Sequence, residues 1–342
     1  MKTLVLRYAG LLLALAATLI AALALGTTRV AAGDVAAVIW RHLTFDAAPA
    51  GNAVAENIVW LIRMPRALLA IAVGGGLAVV GIAMQTLVRN PLAEPYILGL
   101  SSGASAGASL FYLGFLPPLI SLHLSLPLAA FVGGLGTMAV VYFVAREDGD
   151  VSVVRLLLAG VAMSALMGAV SAFATFASPE LEKMKTVMFW LLGSIAGARW
   201  GDLGLPLVSA AIGAAALMLL ARPLDALLLG DEAAASLGVP VRRLKQVLLV
   251  LSAFVTGSLV AAAGAIGFVG LIIPHAVRSL VGVPHRRLVP ACFLTGAIFL
   301  VWADTLARLV FAPVELPIGV VTALCGVPFF LWLIRKRGYQ FG

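Results

Sequence analysis

The stretch ALLAIAVGGGLAVVGIAMQTLV, residues 67–88, contains no charged side chain. A membrane-spanning α-helix needs about 20 mostly apolar residues, because the hydrocarbon core of a bilayer is about 30 Å thick. The glycines of this stretch, Gly74, Gly75, Gly76 and Gly81, predict a helix face that other backbones can approach closely. The stretch therefore predicts a spanning helix in a tightly packed bundle.

Composition places the whole chain in the same class. Of its 342 residues, 62% are hydrophobic and 11% are charged, whereas a soluble domain has about 25% charged residues. Ten runs are apolar enough to span a bilayer: 8–28, 67–88, 96–116, 124–145, 154–177, 203–221, 247–266, 268–283, 288–310 and 316–334. The sequence therefore predicts an all-α polytopic membrane protein with ten transmembrane helices, forming a single domain over residues 1–342.

The distribution of charge predicts the topology. Ten crossings put both termini on one side, and a cytoplasmic location for them leaves 15 of the 23 lysines and arginines on the inner side. This excess agrees with the positive-inside rule and predicts that both termini are cytoplasmic. The net charge of +8 then reflects the linkers between spans, and we expect no nucleic-acid partner.

Arg63, Arg66 and Arg308 are among the eight basic residues on the predicted outer face. Arg63 and Arg66 flank the start of the second span, where the helix dipole is already positive and Pro65 suits the first helical turn. Further positive charge there gains nothing within the helix, so we expect an exposed patch that binds carboxylates through bidentate contacts. Lipid phosphates are the alternative ligand. Arg308 is expected to pair with Asp304, four residues before it on one helix face.

The sequence contains no catalytic motif that we recognise. It lacks the G-x-x-x-x-G-K-[ST] phosphate loop and H-E-x-x-H, its G-x-S-x-G letters at 99–103 lie inside an apolar run rather than between a strand and a helix, and its four histidines have no metal-ligand spacing. Cys292 and Cys325 lie in apolar runs and are expected to be buried hydrophobic residues. We therefore expect no catalytic residue, no metal site and no permanently bound cofactor.

The longest inward linker, residues 222–245, predicts a short helix outside the membrane. Asp231 can cap this helix, residues 232–237 favour it, Gly238 ends it and Pro240 prevents its continuation. Its alanines offer a smooth surface that another protein could hold. A plain connecting helix is the alternative interpretation.

Other segments suggest an internal path and a repeat. Two prolines interrupt residues 89–105, and irregular backbone at membrane depth persists only where protein or a water-filled cavity satisfies it. Residues 76–91 and 257–274 each place two glycines ahead of a proline, five helices apart, as an inverted repeat predicts. Thr186–Ala198 is apolar but too short to span, which predicts a helix that lies at the membrane surface or dips into the membrane.

Seven motifs follow one another along the chain: RMPR (63–66), MQTLVRNPLAEPYILGLSSGA (84–104), LLLAGVAMSAL (156–166), LGDEAAASLGV (229–239), GFVGLIIPHAVR (267–278), ADTLARL (303–309) and ELPIGVVTALCGVPFFLWL (315–333). In this order they resemble the FecCD family of ABC-importer permeases. The resemblance implies the type II importer permease fold, with ten helices per subunit, and a homodimer with the transport path at its axis. It also implies a bacterial inner (plasma) membrane location.

The resemblance implies partners as well. A second copy of the chain, two ABC ATPase subunits and a periplasmic substrate-binding protein are expected. ATP would be bound by the ATPase subunits only, so the chain would be a transport subunit and not an enzyme.

The resemblance assigns roles to individual residues. Arg63, Arg66 and Arg308 match outer arginines that pair with glutamates of the binding protein, and Asn90 and Leu92 match positions that narrow the path on the cytoplasmic side. The linker helix matches the family's coupling helix, with these residues at the ATPase contact: Gly230, Asp231, Glu232, Ala233, Ala234, Ser236, Leu237 and Gly238.

Small side chains are expected along the path, among them Ala162, Ser164 and Ser171, without a ring of charge. Such a lining suits a bulky, partly apolar cargo, and the overall resemblance favours haem over a ferric siderophore or cobalamin. Two other classes remain alternatives. An intramembrane enzyme would need ionisable residues at mid-membrane, for which only Asp304 and His275 are candidates, and an ATP-independent secondary transporter would depend on an ion gradient.

Overall fold

The computed structural model describes residues 2–44, 52–122, 124–147 and 150–336. Their α-helices are α1 (Lys2–Ala24), α2 (Ala32–Thr44), α3 (Ala53–Glu56), α4 (Met64–Val88), α5 (Leu100–Tyr112), α6 (Pro118–Ser121), α7 (Leu126–Ala145), α8 (Val153–Ala177), α9 (Leu181–Leu191), α10 (Gly204–Leu219), α11 (Ala221–Leu227), α12 (Asp231–Ser236), α13 (Val241–Ala263), α14 (Val269–Val281), α15 (His285–Leu309) and α16 (Ile318–Lys336). A π-helical segment, Asn57–Arg63, joins α3 to α4, and 3₁₀ turns cover Pro95–Leu98 and Trp200–Asp202. Strands β1 (Arg146–Glu147) and β2 (Asp150–Val151) form a short antiparallel hairpin.

Helix α4 lies in the middle of the bundle. Nearly all of its residues are buried, and helices α10, α13, α14 and α15 all pack against it. Its sequence explains this position, because small and aliphatic side chains cover its whole circumference and no face favours water.

Two glycines of α4 allow neighbouring backbones to touch it. Gly74 faces Gly296 of α15, and Gly81 faces Gly270 of α14. At either α4 position a Cβ atom would overlap the carbonyl oxygen of the facing glycine. The close approach predicted from the glycine pattern is confirmed, and it is the way small residues support helix association in lipid.

Each predicted apolar run contains a helix, although three of these helices are short. Seven segments of the described residues are long and apolar enough to cross a membrane: Leu4–Ala24, Ala53–Val88, Leu126–Ala145, Val153–Ala177, Trp200–Leu219, Val241–Ala263 and His285–Leu309. The runs at 96–116, 268–283 and 316–334 correspond to α5, α14 and the shorter apolar part of α16. The chain is therefore an all-α, multi-pass membrane protein.

Irregular backbone shortens α5 and α14. Residues 89–99 precede α5, and residues 264–268 precede α14. The two irregular segments meet, since the Tyr96 hydroxyl donates to the Ile266 carbonyl oxygen at 2.7 Å and the Phe268 amide donates to Glu94 Oε1 at 2.7 Å. Side chains thus form hydrogen bonds with backbone N–H and C=O groups that lie outside a regular helix. Such bonds are expected for irregular segments inside a bundle.

The bundle has two ends, named here for later reference. The Arg66 end is where α4 begins, and the α12 end is where α4 finishes. The beginning of α1 lies at the α12 end, because the Tyr8 hydroxyl donates to the Arg287 carbonyl oxygen at 2.7 Å.

Two expectations from the sequence are wrong. The helix expected at Thr186–Ala198 is shifted, because Gly193 adopts a φ of +79° and its carbonyl oxygen accepts from the Ile318 amide at 3.0 Å. These contacts turn the chain toward α16 two residues after α9 ends. Cys292 is buried as expected, but Cys325 is exposed on α16.

Candidate functional site

A cluster of arginines and carboxylates occupies the Arg66 end. The π-helical segment leads directly into α4, which has Pro65 in its first turn as predicted. Because Pro65 has no amide hydrogen to donate, the wider π-helical turns before it accommodate the missing bond. Arg63 and Arg66 therefore lie within a longer helical stretch, and not at its free end.

Arg63 caps the end of α1. Its Nη1 donates to the carbonyl oxygens of Leu23 at 2.6 Å and Ala24 at 3.1 Å, and its Nη2 donates to the carbonyl oxygen of Thr28. The last carbonyls of an α-helix lack partners within the helix and form the negative end of its dipole. A guanidinium group satisfies both needs, so Arg63 has a structural role within the chain.

Arg66 bridges two carboxylates. Its Nε lies 2.7 Å from Asp304 Oδ1, and its Nη1 lies 2.8 Å from Glu315 Oε2. Arg308 Nε lies 3.2 Å from Asp304 Oδ2, which confirms the predicted pairing of Asp304 with Arg308. The Arg308 Nη2 group also donates to the Ala22 carbonyl oxygen at 3.2 Å, so a second arginine caps α1.

The three arginines do not form the open patch expected from the sequence. Arg63, Arg66 and Arg308 are 6%, 6% and 7% exposed, because two carboxylates and the carbonyls of α1 take up their donors. Glu315, with a side chain that is 32% exposed, is the accessible member. Its role is not evident from the sequence, since no local spacing links it to Arg66, 249 residues earlier. Docking through the three arginines stays a prediction.

A cavity of about 740 Å³ also opens at the Arg66 end. It lies between α7, α9, α10 and α13, and its lining includes Leu126, Phe189, Trp190 and Leu205. Cavities of this size with aromatic and aliphatic linings commonly take organic ligands.

Helix α12 occupies the opposite end. It follows Gly230, with a φ of +109°, and it is stopped by Gly238, with a φ of +81°, as predicted for Gly238. Asp231 does not cap the helix. Its Oδ2 instead lies 2.5 Å from Lys245 Nζ, because α13 folds back and carries Lys245 beside the start of α12.

One face of α12 is anchored and the other is open. Ala234 is fully buried and Ala233 is half-buried. The exposed residues from 231 to 238 are Glu232, Ala235, Ser236, Leu237 and Gly238. Helix α11, which the sequence analysis did not predict, precedes α12, so the linker is a folded unit.

Hydrogen bonds of the buried His285 side chain join this linker to the bundle. His285 Nδ1 lies 2.6 Å from Asp225 Oδ1 of α11, and His285 Nε2 lies 3.0 Å from Thr86 Oγ1 of α4. The His285 amide also donates to Asp225 Oδ1 at 3.0 Å, so Asp225 caps α15. No local pattern in the sequence predicts these hydrogen bonds, because Thr86 and His285 are 199 residues apart.

Asn90 and Leu92 form a tight turn after α4. The Asn90 amide donates to the Gln85 carbonyl oxygen at 3.1 Å, and Asn90 Oδ1 accepts from the Leu92 amide at 2.8 Å. The turn fixes both residues at the α12 end, where each is half-buried. Their role in narrowing a path stays a prediction.

Comparison with known proteins identifies the family of this chain. The sequence model of the FecCD transport family matches residues 12–336. The chain belongs to the FecCD transport family.

Two relatives of this FecCD permease belong to named import systems. The chain is 45% identical to the cobalamin import system permease protein BtuC of Halobacterium salinarum, over 83% of this chain and 74% of that one. It is 44% identical to the hemin transport system permease protein HmuU of Yersinia pestis, over 82% and 84%. A solved inward-facing structure of a putative metal-chelate type ABC transporter aligns with a TM-score of 0.82 at 32% identity, over 96% and 98%.

The family match and the named relatives, which are permease subunits of import systems, show that the chain is an ABC importer permease. They do not favour haem over cobalamin, so the preference for haem drawn from the sequence has no support from them.

The three path residues predicted in this FecCD permease lie on two faces of α8, because Ser164 and Ser171, seven residues apart, share one face and Ala162 lies on the other. Ala162 is exposed, Ser164 is half-buried, and Ser171 is buried with its hydroxyl donating to the Met167 carbonyl oxygen at 3.0 Å. Residues two apart on an α-helix point about 200° apart. Ala162 and Ser164 therefore cannot both line the same side of a path. The role of Ala162, Ser164 and Ser171 in lining the path stays a prediction.

Metal ligation is the last feature of the site. Within residues 2–44, 52–122, 124–147 and 150–336, no group of three His, Cys, Asp or Glu side chains is arranged to hold a metal ion. That the chain carries no resident metal or cofactor stays a prediction.

Proposed function

We propose that this FecCD permease is the membrane subunit of an ATP-driven importer that moves a bulky metal chelate from the periplasm to the cytoplasm. The observation that carries the proposal is α12, a short helix held by buried Ala234 and by the Asp231–Lys245 pair, with Leu237 65% exposed. An anchored helix with an open face can transmit movement from a docked protein to the bundle. Two ATPase subunits would dock there and bind all the ATP, and the permease itself would hold no cofactor.

The cargo proposal rests on the cavity at the Arg66 end. Phe189 and Trp190 offer flat aromatic faces there, which suit a partly apolar chelate of macrocyclic or siderophore type. Haem, cobalamin and ferric siderophores belong to this class. A binding protein would deliver the cargo to this end, near the accessible carboxylate of Glu315.

The proposed topology has ten crossings with both termini in the cytoplasm. Residues 89–99 with α5, and residues 264–268 with α14, would each complete one crossing. These irregular segments lie against each other and are five crossings apart, which supports the inverted repeat. The Arg66 end would then face the periplasm and the α12 end the cytoplasm.

The homodimer is proposed from exposed apolar faces. Helix α8 exposes Leu158 and Phe173, and α16 exposes Leu324 and Leu331. A second copy packed on one of these faces would bury it and place a path between the subunits.

The test compares two exposed leucines at opposite ends. Leu237, which directly follows α12, and Leu181 of α9 are both 65% exposed. We expect Leu237→Asp to abolish co-purification with the ATPase subunits and cargo uptake, and Leu181→Asp to retain the ATPase complex. Uptake that survives ATP depletion and collapses with the ion gradient would instead show a secondary transporter. Uptake assays with haem, cobalamin and a ferric siderophore would identify the cargo.

A further inference from the structure

A second cavity, of about 610 Å³, lies at the α12 end and has no part in the proposed transport cycle. It is an open cavity bordered by the end of α4, the segment before α12 and the last turns of α14. Its lining includes the guanidinium groups of Arg89 and Arg278 together with Gln85, Val88, Leu228 and Gly230. Among the described residues that line it, none is acidic.

Arg278 is held in place by a neutral partner. Its Nη1 donates to Gln85 Oε1 at 2.6 Å, and Gln85, which is 2% exposed, donates from Nε2 to the Gly270 carbonyl oxygen at 3.2 Å. The amide is therefore fixed with its oxygen toward Arg278. Because a neutral amide cannot compensate the guanidinium, the positive charge of Arg278 stays available to a ligand.

Arg89 brings the second charge to the same cavity. It ends α4 in the left-handed conformation, with a φ of 52°, and its Nη1 lies beside Gly230. Neither Arg89 nor Arg278 forms an ion pair with any carboxylate of the described residues. Two of the three acidic residues of the linker have other partners, since Asp231 pairs with Lys245 and Asp225 with His285, and Glu232 does not line the cavity.

We propose that this cavity binds a phosphate group, from the headgroup of an anionic lipid or from free phosphate. Planar guanidinium groups bind phosphate oxygens through paired hydrogen bonds, and basic pockets between helices at the cytoplasmic membrane surface are suited to anionic headgroups. Gly230 lines the cavity and starts α12, so a bound phosphate would lie against the linker that we propose couples to ATPase subunits.

The test measures phosphate binding by the purified full-length permease. Wild type, Arg89→Gln/Arg278→Gln and Arg335→Gln would be titrated with phosphatidylglycerol or with inorganic phosphate, using thermal shift and native mass spectrometry. Arg335 is an exposed arginine of α16 outside the cavity. We expect the double variant to bind at least about tenfold more weakly and Arg335→Gln to match wild type. Saturable binding of phosphatidylglycerol alone identifies a lipid site, and saturable binding of inorganic phosphate alone identifies free phosphate.

Two results would overturn the proposal. One is equal binding by all three proteins. The other is a double variant that binds both probes normally but no longer retains the ATPase subunits, which would make the cavity a protein contact. Arg89→Lys and Arg278→Lys keep the positive charge but remove the paired N–H donors of the guanidinium group. Intermediate binding by these variants would show that the double variant loses the ligand contact and not the fold.

Discussion

Arg66 of α4 and Asp304 of α15 form an ion pair of 2.7 Å in which the two side chains are 7% and 3% exposed. The same carboxylate also faces Arg308, at 3.2 Å. One buried aspartate thus balances two guanidinium groups, and Glu315 supplies the remaining negative charge near the surface.

Asp304→Asn should strongly destabilise the permease. The change leaves two buried arginines without their shared carboxylate, and breaking a buried pair costs about 3–5 kcal/mol. Thermal unfolding of the purified permease would show a large drop in Tm. Glu180→Gln is the control, because its pair with Lys183 is exposed and is worth about 0–1 kcal/mol. Equal shifts for the two variants would contradict the prediction.

Gly81→Ala should loosen the contact between α4 and α14. The new Cβ would overlap the Gly270 carbonyl oxygen, and overpacking a close contact costs about 1–3 kcal/mol. Gly10→Ala on the exposed side of α1 meets open space, so it should leave stability unchanged or raise it by up to about 1 kcal/mol. Unfolding measurements on the two variants would give shifts of opposite sign, or a shift for Gly81→Ala only.

The Asp231–Lys245 pair should control coupling. Asp231→Lys and Lys245→Asp each place like charges together at the start of α12, so each should lower the cargo moved per ATP hydrolysed in proteoliposomes with the ATPase subunits. The double exchange restores opposite charges and should recover part of the loss, with a coupling energy of about 0.5–3 kcal/mol. No recovery in the double variant would remove this pair from the coupling mechanism.

Thr86→Val should weaken the link between α4 and the linker. The change keeps the side-chain shape and removes the 3.0 Å contact with His285 Nε2, which costs about 1 kcal/mol. Thr186→Val is a matched control, because the exposed Thr186 hydroxyl donates only to the Glu182 carbonyl oxygen of its own helix. Chemical unfolding should distinguish the buried threonine from the exposed one.

Glu315→Gln should strengthen docking if a carboxylate of the binding protein reaches Arg66. The change removes the accessible internal competitor for Arg66 Nη1, and a pair of this kind is worth up to about 1 kcal/mol, or about fivefold in affinity. Surface plasmon resonance with the binding protein would measure it. Glu182→Gln, an exposed change at the same end, should have no effect, and unchanged affinity for Glu315→Gln would argue against contact at Arg66.

The sequence predicted features that depend on local chemistry. The apolar runs, the glycine faces of α4, the turn at Gly238 and the Asp304–Arg308 pair all follow from residues that are near one another in the chain or on one helix. Motif order alone also predicted the family.

The sequence did not predict features that depend on distant partners. The burial of Arg63 depends on the carbonyls of α1, and the partner of Asp231 is a lysine brought back by α13. His285 joins residues from three helices, so no periodic pattern marks it. Local charge patterns therefore overestimated how open the arginine cluster is.

The two arginines that cap α1 have a consequence for docking. Arg63 and Arg308 together donate to the carbonyl oxygens of Ala22, Leu23, Ala24 and Leu25, while most of the flank of α1 is exposed. A visiting protein that drew these guanidinium groups toward itself would release the tip of a peripheral helix. Docking of that protein would then first loosen α1 at the edge of the subunit, before the helices at its centre moved.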